Sequence, residues 1–205
     1  MIAVVDFGAG NLRNVVKALE HIGAHPYVTD DPATIANADR VVLPGVGAFA
    51  DCMNGLRQRG VVEACIQAAR SGRPFLGICV GAQMLFDAGE EMGEWPGLGI
   101  LPGRVVAFDE RVHAQRLPVP HVGWNQLRAL NPAHPLLRDV PSAAYAYFVH
   151  SYHLRPADDS LTLVEATYGY PFPAIVGRDK VLGIQFHPEK SQAVGLTLLR
   201  NFITL

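Results

Sequence analysis

A short apolar run that turns abruptly into a helix-forming segment constrains the fold more than any other part of this sequence. Residues 75–78 (Phe-Leu-Gly-Ile) have the composition of a buried strand, and Cys79 follows inside a Gly-x-Cys-x-Gly pattern. Residues 83–86 (Gln-Met-Leu-Phe) favour a helix. A strand that turns sharply into a helix around a nucleophilic side chain is a nucleophile elbow, a feature of α/β sheets.

The elbow gives Cys79 the surroundings of a reactive thiol. Glycines have no Cβ, so other parts of the chain can approach the cysteine closely. The unpaired N–H groups at the start of the following helix favour thiolate over thiol and can stabilise an oxyanion. A buried structural cysteine is the alternative, and the flanking glycines argue against it.

A partner for the thiol is predicted near the end of the chain. Residues 181–186 have strand composition and lead into His187-Pro188-Glu189. Pro188 biases the residue before it toward an extended backbone, and residues two apart in an extended chain point to the same side. Glu189 would then orient the His187 imidazole, which exchanges a proton with the thiol. The tripeptide alone fits an ordinary strand end, but with the elbow it predicts a Cys–His–Glu triad.

A third segment supplies backbone donors. Residues 41–43 form an apolar run that ends in Pro-Gly-Val-Gly at 44–47. If this loop lies beside the elbow, N–H groups of Gly45, Val46 or Gly47 and of Val80 form an oxyanion hole. Taken alone, the loop is also typical of an ordinary connection between a strand and a helix.

Strand-like and helix-like segments alternate through the first half of the chain. Strands are predicted at 2–5, 41–43 and 75–78, and helices at 14–21 and 61–69. This alternation predicts a mostly parallel sheet with helices on both faces, and short all-apolar strands agree because such a sheet is buried on both sides.

The second half has closely spaced strands instead. They are predicted at 105–108, 145–150, 161–167, 174–176 and 181–186, as an antiparallel extension of the same sheet, and a helix over 191–203 ends the chain. No linker, repeat or low-complexity tract divides the sequence, so its 205 residues are predicted to form one domain, 1–205.

The composition excludes several classes of protein. The net charge is -2 and no basic run is present, which argues against nucleic-acid binding. Glycine, proline or charge interrupts every apolar stretch, so no membrane span is predicted. The Gly-x-Gly at 8–10 has Arg13 where a dinucleotide-binding loop carries its third glycine.

Cysteine and histidine usage bears on compartment and metal binding. The odd count of 3 cysteines and a first segment that is a strand without a basic leader predict reduced thiols and a cytoplasmic location. Cys52 and Cys65 fall in helix-like stretches as core residues. His150 and His153 are predicted on opposite faces of one strand, and no metal site is expected.

The order of oxyanion loop, Cys elbow and His-Pro-Glu resembles that of the class I (triad) glutamine amidotransferases, and the resemblance covers the full chain. More narrowly, the sequence is similar to the glutaminase subunits of imidazole glycerol phosphate synthase. The segments that carry this similarity are Gly10–Asn14, Pro44–Phe49, Pro120–Asn125, Tyr147–Tyr152 and Gln185–Ser191.

The resemblance implies hydrolysis of glutamine without a cofactor. It places Cys79, His187 and Glu189 as the catalytic residues. It also implies that a further set of residues seats the glutamine: Gly47, Gln83, Glu91, Ser151 and Tyr152. Glu91 would meet the α-amino group, although a solvated loop acid is the alternative.

The resemblance also implies a partner, a (β/α)8-barrel cyclase that forms a heterodimer with the chain and receives its ammonia for histidine biosynthesis. The matching docking residues are Asn11, Asn14, Trp124, Tyr147 and Lys190. Tryptophan is enriched at interface hot spots, but core packing of Trp124 is equally compatible with the sequence.

Alternative functions remain open at this point. The chain fits a glutaminase subunit of another synthase, such as anthranilate or aminodeoxychorismate synthase, or a γ-glutamyl peptidase, although the Gly-Trp-Asn segment at 123–125 weighs against these. A non-catalytic regulatory paralogue is a further alternative, and it would be expected to have lost part of the triad.

Overall fold

A computed structural model describes residues 1–205. The strands, β1 to β14 in chain order, are Ile2–Val5, Pro26–Thr29, Arg40–Gly45, Phe75–Cys79, Phe86–Gly89, Trp95–Pro96, Leu101–Ala107, His121–Gln126, Arg128–Ala129, Tyr145–His150, Tyr152–Pro156, Thr162–Tyr168, Tyr170–Arg178 and Val181–Ile184. The helices, α1 to α7, are Leu12–His21, Pro32–Asn37, Phe49–Gln58, Val62–Arg70, Val80–Gln83, Glu110–Ala114 and Gln192–Phe202. Short 3-10 turns are Pro135–Leu137, Asp159–Leu161 and Pro188–Lys190.

The main sheet has eight strands in the order β2-β1-β3-β4-β14-β13-β12-β9. The first five are parallel, and the last three are added antiparallel. Every residue of β1 and β4 is buried, which requires cover on both faces. This confirms the predicted α/β architecture with a mostly parallel sheet and an antiparallel extension.

Apolar faces at helical spacing explain the helices that cover this sheet. In α1, Val15 and Leu19 are fully buried, as predicted from their spacing. This helix packs against α7, and α2 packs against α4. The predicted closing helix is confirmed with bounds one residue shorter at each end. None of the helices combines the length and the hydropathy that crossing a bilayer requires.

The predicted extension is wrong in one respect, because two of its strands do not join the main sheet. The run at 105–108 lies in β7, within a four-stranded sheet of order β11-β7-β5-β6. The run at 145–150 is β10, which pairs only with β8 as an antiparallel ribbon. Burial alternates along β10, so this ribbon packs one face on the body of the protein and exposes the other.

The elbow helix is also shorter than predicted. It ends at Gln83, and Phe86 already begins β5. Backbone N–H groups at and just before the start of β7 take the carbonyls that a longer helix would use: Leu98 N donates to Met84 O at 2.8 Å and Leu101 N donates to Leu85 O at 2.9 Å. Tertiary pairing therefore overrides the helix propensity of these residues.

Candidate active site

Three neighbouring parallel strands bring the predicted site together. Strand β4 lies between β3 and β14, with Gly45 paired to Cys79 and Ile184 paired to Ile78. The loop after β3, the elbow after β4 and the segment after β14 therefore leave the same edge of the sheet. This is the edge where open α/β sheets carry their ligand sites.

Cys79 is held in a backbone conformation that non-glycine residues rarely adopt. Its φ is 55° and its ψ is -114°, a conformation that costs on the order of 1–3 kcal/mol. Close glycine contacts maintain it. A Cβ on Gly81 would lie 1.8 Å from Leu43 O, and one on Gly77 would lie 2.5 Å from Gly81 O. The glycines of the elbow are thus required by packing, as the sequence predicted.

His187 and Glu189 form a buried pair, but not in the predicted conformation. His187 itself is extended, whereas Pro188–Lys190 is a 3-10 turn rather than a continuation of a strand. His187 Nδ1 lies 2.8 Å from Glu189 Oε1, and the two side chains are 2% and 0% exposed. The turn brings the carboxylate to the Nδ1 edge of the ring, so the predicted contact exists for a different geometric reason.

Burial and two neighbours act in opposite directions on the His187 pKa. Burial lowers it, while the Cys79 sulfur and the Glu189 carboxylate stabilise the imidazolium and together raise the pKa to about 9. His187 Nε2 is buried and has no hydrogen-bond partner. The arrangement therefore favours a protonated His187 at neutral pH.

We expect Glu189→Gln to lower the pKa of His187 by on the order of one pH unit, because the amide keeps the shape of the side chain but not its charge. Side-chain NMR of His187 measures this pKa directly. Glu20→Gln, on the exposed side of α1, is the matched control and should leave it unchanged. An unaltered His187 pKa in Glu189→Gln would contradict the assigned cause.

The same pKa predicts how stability varies with pH. A histidine in the unfolded chain has a pKa of about 6.5, and the pKa of folded His187 is raised to about 9. The stabilisation from the protonated ring is therefore complete below the lower value and is lost as pH rises through the higher one. The free energy of unfolding should fall over this window, and the fall should shrink in Glu189→Gln.

A cavity of about 260 Å³ lies in front of the elbow. It brings together Cys79 and His187 with all the residues predicted to seat a substrate and most of those predicted to form the oxyanion hole. Its lining includes Val46, Gly47, Val80, Gln83, Glu91, Ser151 and Tyr152. Gly45 does not line the cavity but packs on the elbow. A Cβ on Gly45 would lie 2.6 Å from Gly81 N.

Two polar side chains of the cavity are oriented by the protein. Gln83 Nε2 donates to Tyr152 O at 3.0 Å and to Gln185 Oε1 at 3.3 Å. Glu91 Oε2 accepts from Phe49 N at 2.7 Å, at the start of α3. Glu91 is therefore not a free loop acid: one carboxylate oxygen caps α3, and the side chain lines the cavity.

The residues predicted to dock a partner form a surface beside this cavity. Trp124 is 47% exposed and contacts Tyr147, with ring centroids 6.0 Å apart. Lys190 Nζ lies 5.7 Å from the Tyr147 ring. Asn14 Nδ2 donates to Asn11 Oδ1 at 2.8 Å. Trp124 is thus not a core residue.

Sequence reasoning missed one contact between this surface and the buried pair. Asn11 Nδ2 donates to Glu189 Oε1 at 3.1 Å, across 178 positions of the chain. Asn11 follows the first strand, and its position at the same sheet edge was the only available signal. Sequence reasoning also missed Pro120, Val149 and His150, which line the cavity.

The other two cysteines differ from Cys79. Cys52 and Cys65 are fully buried, as predicted, and burial raises the pKa of each to about 12. The Cys52 sulfur donates to Val46 O at 3.4 Å. Both thiols therefore stay protonated at neutral pH, while Cys79 opens onto the cavity.

The chain is similar to known proteins over nearly its full length. The family described as glutamine amidotransferase class-I matches residues 3–205. A protein of Syntrophotalea carbinolica named imidazole glycerol phosphate synthase subunit HisH is 52% identical, covering 98% of each chain. The HisH subunit of Salinibacter ruber is 50% identical, over 100% of this chain and 94% of its own length.

Solved structures show the same fold at lower identity. A structure titled PurLQS from Thermotoga maritima has a TM-score of 0.77 at 19% identity, over 99% of this chain and 97% of that one. A crystal structure of a glutamine amidotransferase has a TM-score of 0.76, also at 19% identity, with the same coverage. The chain belongs to the class-I glutamine amidotransferases and, within them, to the family of HisH subunits of imidazole glycerol phosphate synthase.

Proposed function

We propose that this chain hydrolyses the side-chain amide of glutamine through Cys79, His187 and Glu189 and delivers the ammonia to a (β/α)8-barrel cyclase in histidine biosynthesis. The observation that carries the proposal is the shared cavity: a strained cysteine at a strand end faces a buried histidine whose far nitrogen is held by a carboxylate. This is the arrangement that nucleophilic acyl transfer requires.

In the first half of the reaction, the Cys79 thiolate attacks the amide carbon of glutamine. The oxyanion that forms is held by the backbone N–H of Val80 and by N–H groups of the Gly45–Gly47 loop. The His187 imidazolium gives its proton to the departing nitrogen, which leaves as ammonia. A glutamyl thioester remains on Cys79, and His187 is neutral.

In the second half, neutral His187 takes a proton from water as the water attacks the thioester. The carbon–sulfur bond breaks, glutamate leaves, and Cys79 thiolate and His187 imidazolium are restored. Glu189 keeps Nδ1 protonated throughout, so that Nε2 is the nitrogen that exchanges the proton. The burial of Glu189 prevents water from competing for this contact.

The substrate residues are assigned by the polarity of the cavity. Glu91 accepts the α-ammonium of glutamine, and Gln83 offers its amide oxygen because its nitrogen is already engaged. Backbone groups of Gly47, Ser151 and Tyr152 hold the remaining polar atoms. The test is a glutamate assay on the purified chain with the cyclase and its ligand: glutamine should yield glutamate, and no release of glutamate would contradict the proposal.

A partner is needed because free ammonia is protonated at neutral pH and then is no longer a nucleophile. The docking surface consists of Asn11, Asn14, Trp124, Tyr147 and Lys190. The exposure of the Trp124 side chain supports this assignment, and so does the hydrogen bond from Asn11 to Glu189. Ammonia would pass from Cys79 into the barrel without entering bulk water.

Trp124→Ala should weaken binding of the cyclase roughly 10- to 100-fold, because truncating a buried interface tryptophan typically has an effect of this size. Titration calorimetry with the purified cyclase measures it. Tyr27→Ala removes an aromatic side chain with 56% exposure from β2, at the far edge of the main sheet, and should change nothing. Equal affinities of the two variants would remove Trp124 from the docking surface.

A further inference from the structure

Two buried histidines beside the cavity take no part in the proposed reaction. His121, on β8, is 3% exposed and His150, at the end of β10, is 6% exposed. Their rings lie among aromatic side chains: His121 stacks on Tyr168 with centroids 4.0 Å apart, and Phe108 lies 5.2 Å from His150. His153 lies on β11 and not on β10, and its ring also packs on Phe108, at 5.1 Å. The prediction that His150 and His153 occupy opposite faces of one strand is therefore wrong.

A charged imidazole is unfavourable in such surroundings. Burial lowers the pKa of His121 to about 4 and that of His150 to about 3. At neutral pH each ring is therefore neutral and has one N–H donor and one acceptor nitrogen. The hydrogen bonds around the rings then determine which nitrogen carries the proton.

The contacts allow one pattern of protons. His150 Nδ1 lies 2.9 Å from the backbone carbonyl of Tyr152, which only accepts, so Nδ1 carries the proton and Nε2 is an acceptor. His121 Nδ1 is 3.1 Å from that acceptor and must be protonated as well. His121 Nε2 is then an acceptor, 3.3 Å from the Asn125 amide nitrogen.

The donors therefore all run in one direction, from Asn125 through His121 and His150 to the Tyr152 carbonyl. That carbonyl also accepts from Gln83 Nε2 at 3.0 Å. Asn125 is itself anchored, because its amide nitrogen donates to Thr167 O at 2.8 Å. The chain of hydrogen bonds thus starts on the β8 ribbon and ends on two residues that line the glutamine cavity.

We infer that His121 and His150 are positioning residues that fix the Tyr152 carbonyl and, through it, the Gln83 side chain for glutamine binding. The inference rests on the proposed function, because it gives these residues a role in holding that substrate. The inference gives His121 and His150 no part in proton transfer, which is the role of His187. Their effect should fall on glutamine affinity and not on the reactivity of the Cys79 sulfur.

Two matched substitutions at His121 distinguish hydrogen bonding from packing. His121→Phe keeps a ring against Tyr168 but leaves His150 Nε2 without its donor. His121→Asn loses the ring but carries an amide donor near the position of Nδ1. If the hydrogen bond to His150 Nε2 matters, His121→Asn should weaken glutamine binding less than His121→Phe does. This order is expected although phenylalanine matches the shape of histidine better than asparagine does.

The readout is covalent labelling of Cys79 in the full chain by 6-diazo-5-oxo-norleucine, an electrophile with the amino-acid end of glutamine. For His121→Phe we expect the half-saturating concentration to rise roughly tenfold, with the maximal labelling rate within about twofold. Labelling by iodoacetamide, which lacks that end, should be unchanged. His121→Asn should stay within about threefold of the unmodified chain.

An independent measurement needs no variant. Long-range nitrogen–proton NMR of the unmodified chain should show both His121 and His150 protonated at Nδ1. An Nε2–H form of His150 would overturn the inference, as would equal losses of labelling by both electrophiles in His121→Phe. If the unmodified chain is not labelled saturably, the proposed glutaminase itself fails, and this failure is visible before any variant is compared.

Discussion

Glutamate release should fall roughly 10⁴-fold or more when Cys79 is replaced by alanine, an effect typical of removing a catalytic nucleophile. The sulfur forms the thioester, and none of the hydrogen bonds in the cavity can replace that covalent bond. Alanine meets the same backbone strain at φ 55°, so the fold should be retained. A coupled glutamate assay measures the loss, and a thermal melt checks the fold.

The control for this substitution is Cys65→Ala. Cys65 is fully buried in α4 and does not line the cavity, so its replacement should leave the rate of glutamate release near that of the unmodified chain. Cys79→Ala should still bind the cyclase with unchanged affinity, because the docking surface is untouched. Unaltered glutamate release by Cys79→Ala would exclude this sulfur as the nucleophile.

Addition of the cyclase and its ribotide ligand should raise glutamine hydrolysis roughly 10²- to 10³-fold, the effect of one oxyanion donor. The physical reason lies in the loop after β3. Val46 and Gly47 are exposed, and Gly47 has a φ of +102° with no heavy atom within 4 Å of where its Cβ would be. This loop has room to change its backbone conformation and to complete the oxyanion hole.

The rate of glutamate release should be measured for the chain alone, with the cyclase, and with the cyclase and its ligand. At a saturating cyclase concentration, Trp124→Ala should reach the same activated rate, because it alters affinity and not the loop. Full activity of the chain with glutamine alone would identify a free-standing glutaminase and would contradict the proposed dependence on the partner.

The parallel part of the sheet could be predicted from the sequence because each of its strands is recognisable from a few consecutive residues. The strands at 2–5, 41–43 and 75–78 are continuous apolar runs, a pattern that fits a sheet buried on both faces. The elbow is equally local, because Gly77 and Gly81 are each two residues from Cys79. A Cβ on Gly81 would lie 1.8 Å from a backbone oxygen and one on Gly77 would lie 2.5 Å from another, which explains why both are glycines.

The remaining features depend on contacts between distant positions. The sequence of β10 fits either an extension of the main sheet or a separate ribbon, and only its pairing with β8 decides. The hydrogen bond from Asn11 to Glu189 and the link between His121 and His150 join segments far apart in the chain. Residue types and spacing carry no record of such pairings.

The central claim is that Cys79 attacks glutamine in the cavity that it shares with His187. Peptide mass spectrometry after treatment with 6-diazo-5-oxo-norleucine tests this directly. We expect a single adduct on Cys79 that forms more slowly as glutamine is added, with Cys52 and Cys65 unmodified because both are buried and protonated. An adduct on another residue, or one on Cys79 that glutamine does not suppress, would contradict the account.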